Sequence, residues 1–69
     1  MDRIPVSSSN LVSIGYDPNQ QTLEVEFQNG QIYQYFDVPE TAHQELMAAA
    51  SHGQYLGAYI KGAYRYARL

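Results

Sequence analysis

The chain has 69 residues, of which four are basic, seven are acidic and none is cysteine, for a formal net charge of −3. That length holds a single domain, residues 1–69, around one core; the acidic balance argues against a protein that coats nucleic acid by bulk electrostatics, and without cysteine there is no disulfide staple and no thiolate metal site. No apolar run approaches the roughly 20 residues of a membrane span, and none follows Met1 as a signal peptide would, so a cytoplasmic protein without a membrane partner is expected.

Ser7-Ser8-Ser9-Asn10 is short and polar, a turn or strand lead-in. In Leu11-Val12-Ser13-Ile14-Gly15-Tyr16, Val12, Ile14 and Tyr16 share one face of a first strand. Asp17-Pro18-Asn19-Gln20-Gln21 follows as a turn, with Pro18 presetting φ near −65° and Asp17 able to bond the backbone ahead of it. Leu23, Val25 and Phe27 alternate with Glu24, Glu26 and Gln28, the period of a half-buried strand. Asn29-Gly30 then suits a tight hairpin turn into Ile32-Tyr33-Gln34-Tyr35-Phe36.

Two closures of that turn are open. A two-residue turn sets Glu26 opposite Tyr33 and Glu24 opposite Tyr35, with both rings on the polar face; a turn with Gly30 in a bulge sets Val25 opposite Tyr33 and Leu23 opposite Tyr35, with both rings facing the core. The bulge is favoured slightly, because rings of this size contribute most to a small domain by burial.

Val38-Pro39-Glu40 reads as a helix start, and Ala42, Leu46, Ala49 and Ala50 recur at helical spacing with Met47 beside them, which predicts a helix over 39–50 packed on the sheet. Ser51-His52-Gly53 breaks it, with Gly53 expected in the left-handed cap conformation. A second, shorter helix is expected over 54–61, weakened at Gly57 by about 1 kcal/mol relative to alanine. Ala63-Tyr64-Arg65-Tyr66-Ala67 fits two periods: as a strand it groups Tyr64 with Tyr66, and as a helix it stacks Lys61, Arg65 and Arg68. The expected fold is thus α+β, a three-stranded antiparallel meander over 11–36 with one longer and one shorter helix and a possible C-terminal fourth strand.

Taken together, these segments resemble the KTSC domain, a short module named for the C-terminus of some lysyl-tRNA synthetases and also found as small free-standing bacterial proteins. The resemblance is carried by Val6-Ser7-Ser8, Ile14-Gly15-Tyr16-Asp17, Leu23-Glu24-Val25-Glu26-Phe27 with Gly30, Tyr33-Gln34-Tyr35, Val38-Pro39, Ala49 through Tyr55, and Ile60-Lys61. The family often has asparagine where this chain has Gly57. The resemblance implies no established activity; RNA binding is suggested by attachment to a tRNA-handling enzyme.

Enzyme chemistry is not expected. His43 and His52 lack ligand spacing, Ser51-His52 with Asp37 lacks a nucleophile elbow, and Gly53-x-x-x-Gly57 lacks the Lys-Ser/Thr of a phosphate loop. Glu24 and Glu26 share a strand face, where solvated surface is the expectation. No cofactor is implied. Charge distribution is more informative: residues 1–45 hold every acid and only Arg3 among the bases, while 46–69 hold Lys61, Arg65 and Arg68 and no acid. Those three cations interleave with Tyr55, Tyr59, Tyr64 and Tyr66, and Tyr33 and Tyr35 extend the surface if the two-residue turn holds. Single-stranded nucleic acid is held by rings that stack on bases and cations that follow the backbone. A non-catalytic module that binds RNA or tRNA through this C-terminal surface is therefore expected, with a protein partner or a homodimer as the alternative use of the same residues.

Overall fold

The computed structural model describes residues 1–69 as five antiparallel strands and a helical excursion. The strands are β1 (Arg3–Pro5), β2 (Leu11–Asp17), β3 (Thr22–Phe27), β4 (Ile32–Tyr35) and β5 (Tyr66–Arg68), and they lie side by side in chain order. Between β4 and β5 the chain leaves the sheet as α1 (Glu40–Ala48), then α2 (His52–Tyr55), which runs on as a π-helical turn over Leu56–Ile60. The α+β class and the central meander match the sequence expectation, but the sheet is larger than three strands with an optional fourth. Both β1 and β5 are three residues long, too short for alternation to declare them.

The hairpin closes through the bulged alternative. Phe27 donates its amide to the Gln31 carbonyl at 2.9 Å, Gly30 donates to the Phe27 carbonyl at 2.9 Å, and Gly30 takes φ +88°, which only glycine adopts freely. Val25 therefore faces Tyr33 and Leu23 faces Tyr35. The first turn also follows expectation, with Asp17 Oδ1 accepting from the amides of Asn19 at 3.0 Å and Gln20 at 3.4 Å.

One face of the sheet carries the core. Leu11, Ile14, Leu23, Val25 and Tyr35 meet Val38, Leu46, Leu56 and Ile60, all buried. Leu46 is the single buried residue of α1, so that helix is anchored by one side chain with Ala42 and Met47 at the margin. The hydroxyl of Tyr16 donates to the Val38 carbonyl, and the Val38 amide donates to Gln21 at 2.9 Å, which ties the entry of α1 to the β2–β3 turn.

The helices also differ in detail from the prediction. α1 ends at Ala48 because Ala49 turns to extended backbone, φ −68° and ψ 144°. Gly53 is not a left-handed cap; it lies inside α2, whose start is capped by Ser51 Oγ accepting from the Gln54 amide at 3.2 Å. What glycine provides at 53 is a close approach, since a β-carbon there would sit 3.0 Å from Asn10 Nδ2.

The opposite face corrects a second expectation. Glu24 is buried rather than solvated. Arg3, brought over it by β1, pairs with Glu24 and reaches Glu26 at 3.6 Å, while Gln34 Nε2 donates to Glu24 at 2.9 Å and Arg3 Nε donates to Ser13 at 3.0 Å. Burial pushes the Glu24 carboxyl up, but hydrogen bonds from Gln34 and Arg3 and the Arg3 charge outweigh it and hold the pKa below its ordinary value. Gly15 makes room for this cover: a β-carbon there would lie 2.7 Å from the Asp2 carbonyl oxygen.

Candidate functional site

The aromatic residues divide into three settings. Tyr35 is only 2% exposed and belongs to the core; its hydroxyl pKa is raised by burial and then by Tyr33 and Tyr66 beside it, so it remains a neutral phenol. Tyr33, half-buried, and Tyr66, 64% exposed, stand over it with ring centroids 6.4 and 6.0 Å from that of Tyr35 and 5.8 Å from each other. This juxtaposition follows from register, because β4–β5 pairing sets Tyr35 opposite Tyr66 and Tyr33 opposite Arg68 on one face. Phe27 meets Tyr33 edge-on at 5.4 Å.

These rings line an open groove of about 340 Å³, completed by Asn29, Gln31 and Lys61. The π-helical turn ends just before Lys61, whose amide donates to Leu56 at 2.9 Å, and its ammonium lies 5.9 Å from the Phe27 ring centre. Beyond the Phe27–Lys61 contact a second depression of about 330 Å³ runs past Asn10, Gly53 and Gly57. A β-carbon on Gly57 would touch nothing within 4 Å, so the side chain absent there leaves open space rather than relieving a clash.

The remaining sequence candidates lie elsewhere. Tyr55 and Tyr59 pack on each other at 4.8 Å, and the Tyr55 hydroxyl donates to Glu45 at 2.9 Å, which places an acid beside that pair. Tyr64 is half-buried against the core. Arg65 bonds Asp37 of its own chain at 3.0 Å and covers Phe36 at 5.5 Å. Lys61 and Arg68 form no ion pair. Phe27, Asn29 and Gln31 line the groove without standing out by residue type; the signal available was their position at the tip of the hairpin that carries Tyr33.

Neither histidine is placed for shared chemistry. His43 stacks on Tyr16 with centroids 4.6 Å apart, its pKa lowered by burial against the raising effect of Glu40, and His52 holds a buried Nδ1 without a partner. No three His, Asp or Glu residues cluster as metal ligands, and no helix is long and apolar enough to cross a membrane.

A small five-stranded meander with a helical excursion and an aromatic groove at its last strand is the class of domain these observations define. The family model for the KTSC domain matches residues 7–64, and the chain belongs to that family. An uncharacterised protein of Stutzerimonas stutzeri is 46% identical over 70 residues, covering all of this chain and 99% of the relative. A lysine–tRNA ligase of a Nostoc species is 50% identical over 54 residues, 78% of this chain but 10% of the ligase. The crystal structure of a KTSC domain protein from Yersinia pestis superposes with a TM-score of 0.94 at 46% identity, covering 99% of this chain and 96% of that one.

Proposed function

We propose that this KTSC domain is a non-catalytic module that binds single-stranded RNA, with tRNA as the leading class, through the groove between the β3–β4 hairpin and β5. The observation that carries the reading is the coincidence of Tyr33 and Tyr66 with Lys61 at one open groove, in a chain whose other cations are engaged by carboxylates except Arg68. Rings stack on bases and unpaired ammonium or guanidinium groups follow phosphates. The likeness of 54 residues to part of a lysine–tRNA ligase supports the choice of tRNA.

Titration of fluorescently labelled tRNA and of a single-stranded RNA at about 50 mM and about 200 mM salt tests it. Affinity should weaken with salt and should fall sharply on joint Lys61→Ala and Arg68→Ala replacement. Absence of binding at the lower salt overturns it.

A second use of the same edge has its own support. The register leaves the backbone groups of Tyr66 and Arg68 pointing away from β4, so β5 is free to accept another strand. Light scattering that finds a dimer disrupted by a proline at Arg68 would favour self-association; a monomer at all concentrations removes it.

A further inference from the structure

The aromatic groove is not closed at Phe27. The depression past Asn10, Gly53 and Gly57 is nearly its equal in size, about 330 against 340 Å³, and shares Phe27, Asn29 and Lys61 with it, so the two hollows meet at the hairpin tip beside the Lys61 side chain. They differ in character: tyrosine rings wall the groove, whereas polar side chains and two glycines border most of the depression. None of the seven acids borders either hollow, and Lys61 is the only charged side chain in both. In a chain of net charge −3, an anion lying across the boundary therefore meets an exposed ammonium and no carboxylate on the walls. Gly57 keeps the depression open, since its backbone has free space where a side chain would start.

We infer that the two hollows form one track for two consecutive nucleotides: a base stacked on Tyr33 and Tyr66 in the groove, the linking phosphodiester at Lys61, and the adjoining nucleoside in the polar depression. This track rests on the RNA reading above and extends it to the length of strand held and the point where the backbone crosses the hairpin tip. A single strand presents an aromatic ring, an anionic diester and a hydroxylated sugar one after another, the order in which rings, ammonium and polar side chains are met here. Each hollow is near the lower end of the range for small-ligand sites, about 300–1,000 Å³, and so holds one nucleoside rather than two. Every base has a face to stack and every linkage carries the same charge, so the track accepts any sequence. The ammonium lies over the Phe27 ring without a carboxylate partner, which leaves it free for the diester.

The test follows backbone amide shifts of the isotope-labelled full chain by NMR during titration with uridine and with the dinucleotide UpU, at about 50 mM and about 200 mM salt. Uridine has a base but no phosphate; it should shift the amides of Tyr33 and Tyr66 alone and bind equally at both salts. UpU should also shift those of Lys61, Gly53 and Gly57 and bind about tenfold more tightly than uridine at the lower salt, the equivalent of one charge-assisted hydrogen bond, with a smaller advantage at the higher salt. Lys61→Ala should bring UpU within about twofold of uridine while leaving uridine binding unchanged. Gly57→Leu, which sets a side chain in the depression, should abolish the Gly53 shift and the tighter binding together, whereas Gly57→Ala keeps both; each replacement is a better helix former than glycine, so neither loss is unfolding. Absence of UpU shifts at Gly53 and Gly57, the same shifts with uridine, or an advantage that survives Lys61→Ala or Gly57→Leu overturns the track but leaves RNA binding standing. Failure of uridine, UpU and tRNA alike to bind at the lower salt overturns both.

Discussion

Arg3 and Lys61 sit on opposite faces of one small sheet and have opposite fates. Arg3 is half-buried, bonded to Glu24, Glu26 and Ser13, and closes the polar face beneath the first strand. Lys61 is exposed, has only an aromatic ring beneath it and borders the groove. A cation already answered by a carboxylate of its own chain contributes to the fold; one left unanswered is available to a ligand. By this criterion Arg65, paired with Asp37, belongs with Arg3 more than with Lys61.

The contrast between the fold-holding and ligand-facing sides can be broken by mutation. Leu46→Ala should have the largest effect, about 2–5 kcal/mol of stability, because Leu46 is fully buried and is the single buried residue of α1; chemical denaturation followed by circular dichroism measures it. Glu24→Ala should cost about 1–3 kcal/mol by removing the acceptor of the Gln34 amide and the nearer of the two carboxylates beside Arg3. Tyr66→Ala, at an exposed position, should weaken the proposed RNA binding about five- to hundredfold, the equivalent of one stacked base, with a far smaller change in melting temperature than Leu46→Ala. Arg65→Ala should be the mildest, about 0.2–1 kcal/mol for an exposed pair, with little effect on RNA affinity.

Acid titration sharpens the same contrast. The Glu24 pKa is held below that of the unfolded chain, so its contribution is fully present above the unfolded value of about 4.3 and disappears as pH falls through the folded one. Thermal melts should therefore decline steeply below about pH 4, and Glu24→Gln should flatten that part of the profile.

Much of the fold was legible because the hairpin is clearly marked. Strand alternation and the Asn29-Gly30 pair mark the hairpin but leave two registers open, and the advantage of burying Tyr35 tips the choice to the one that is present. The edge strands were not legible for a physical reason. Arg3-Ile4-Pro5 pairs with Ser13-Ile14-Gly15 because Gly15 yields space and Glu24 attracts Arg3 from a distant strand, neither of which is a local signal. Tyr66-Ala67-Arg68 satisfied two periodicities, and tertiary bonding decided between them: Phe36 donates to Arg65 and Leu69 donates to Ile32, both at 2.8 Å. Of the site, Tyr33, Tyr66, Lys61 and Arg68 stood out in the sequence by type and clustering. Phe27, Asn29 and Gln31 did not, since their residue types already had a reason to be in a strand and a turn.

The strand order has a kinetic meaning. Strands β2 to β4 each pair with the strand just before them across a short connection, so the four strands can zip outward from the central hairpin with little entropy lost per closure. β5 is different: its pairing with β4 must span the whole helical excursion, and that closure waits until Leu46, Leu56 and Ile60 have found their places. Tyr66 is thus delivered by the last seam to form, and amide exchange should find that seam the first to open.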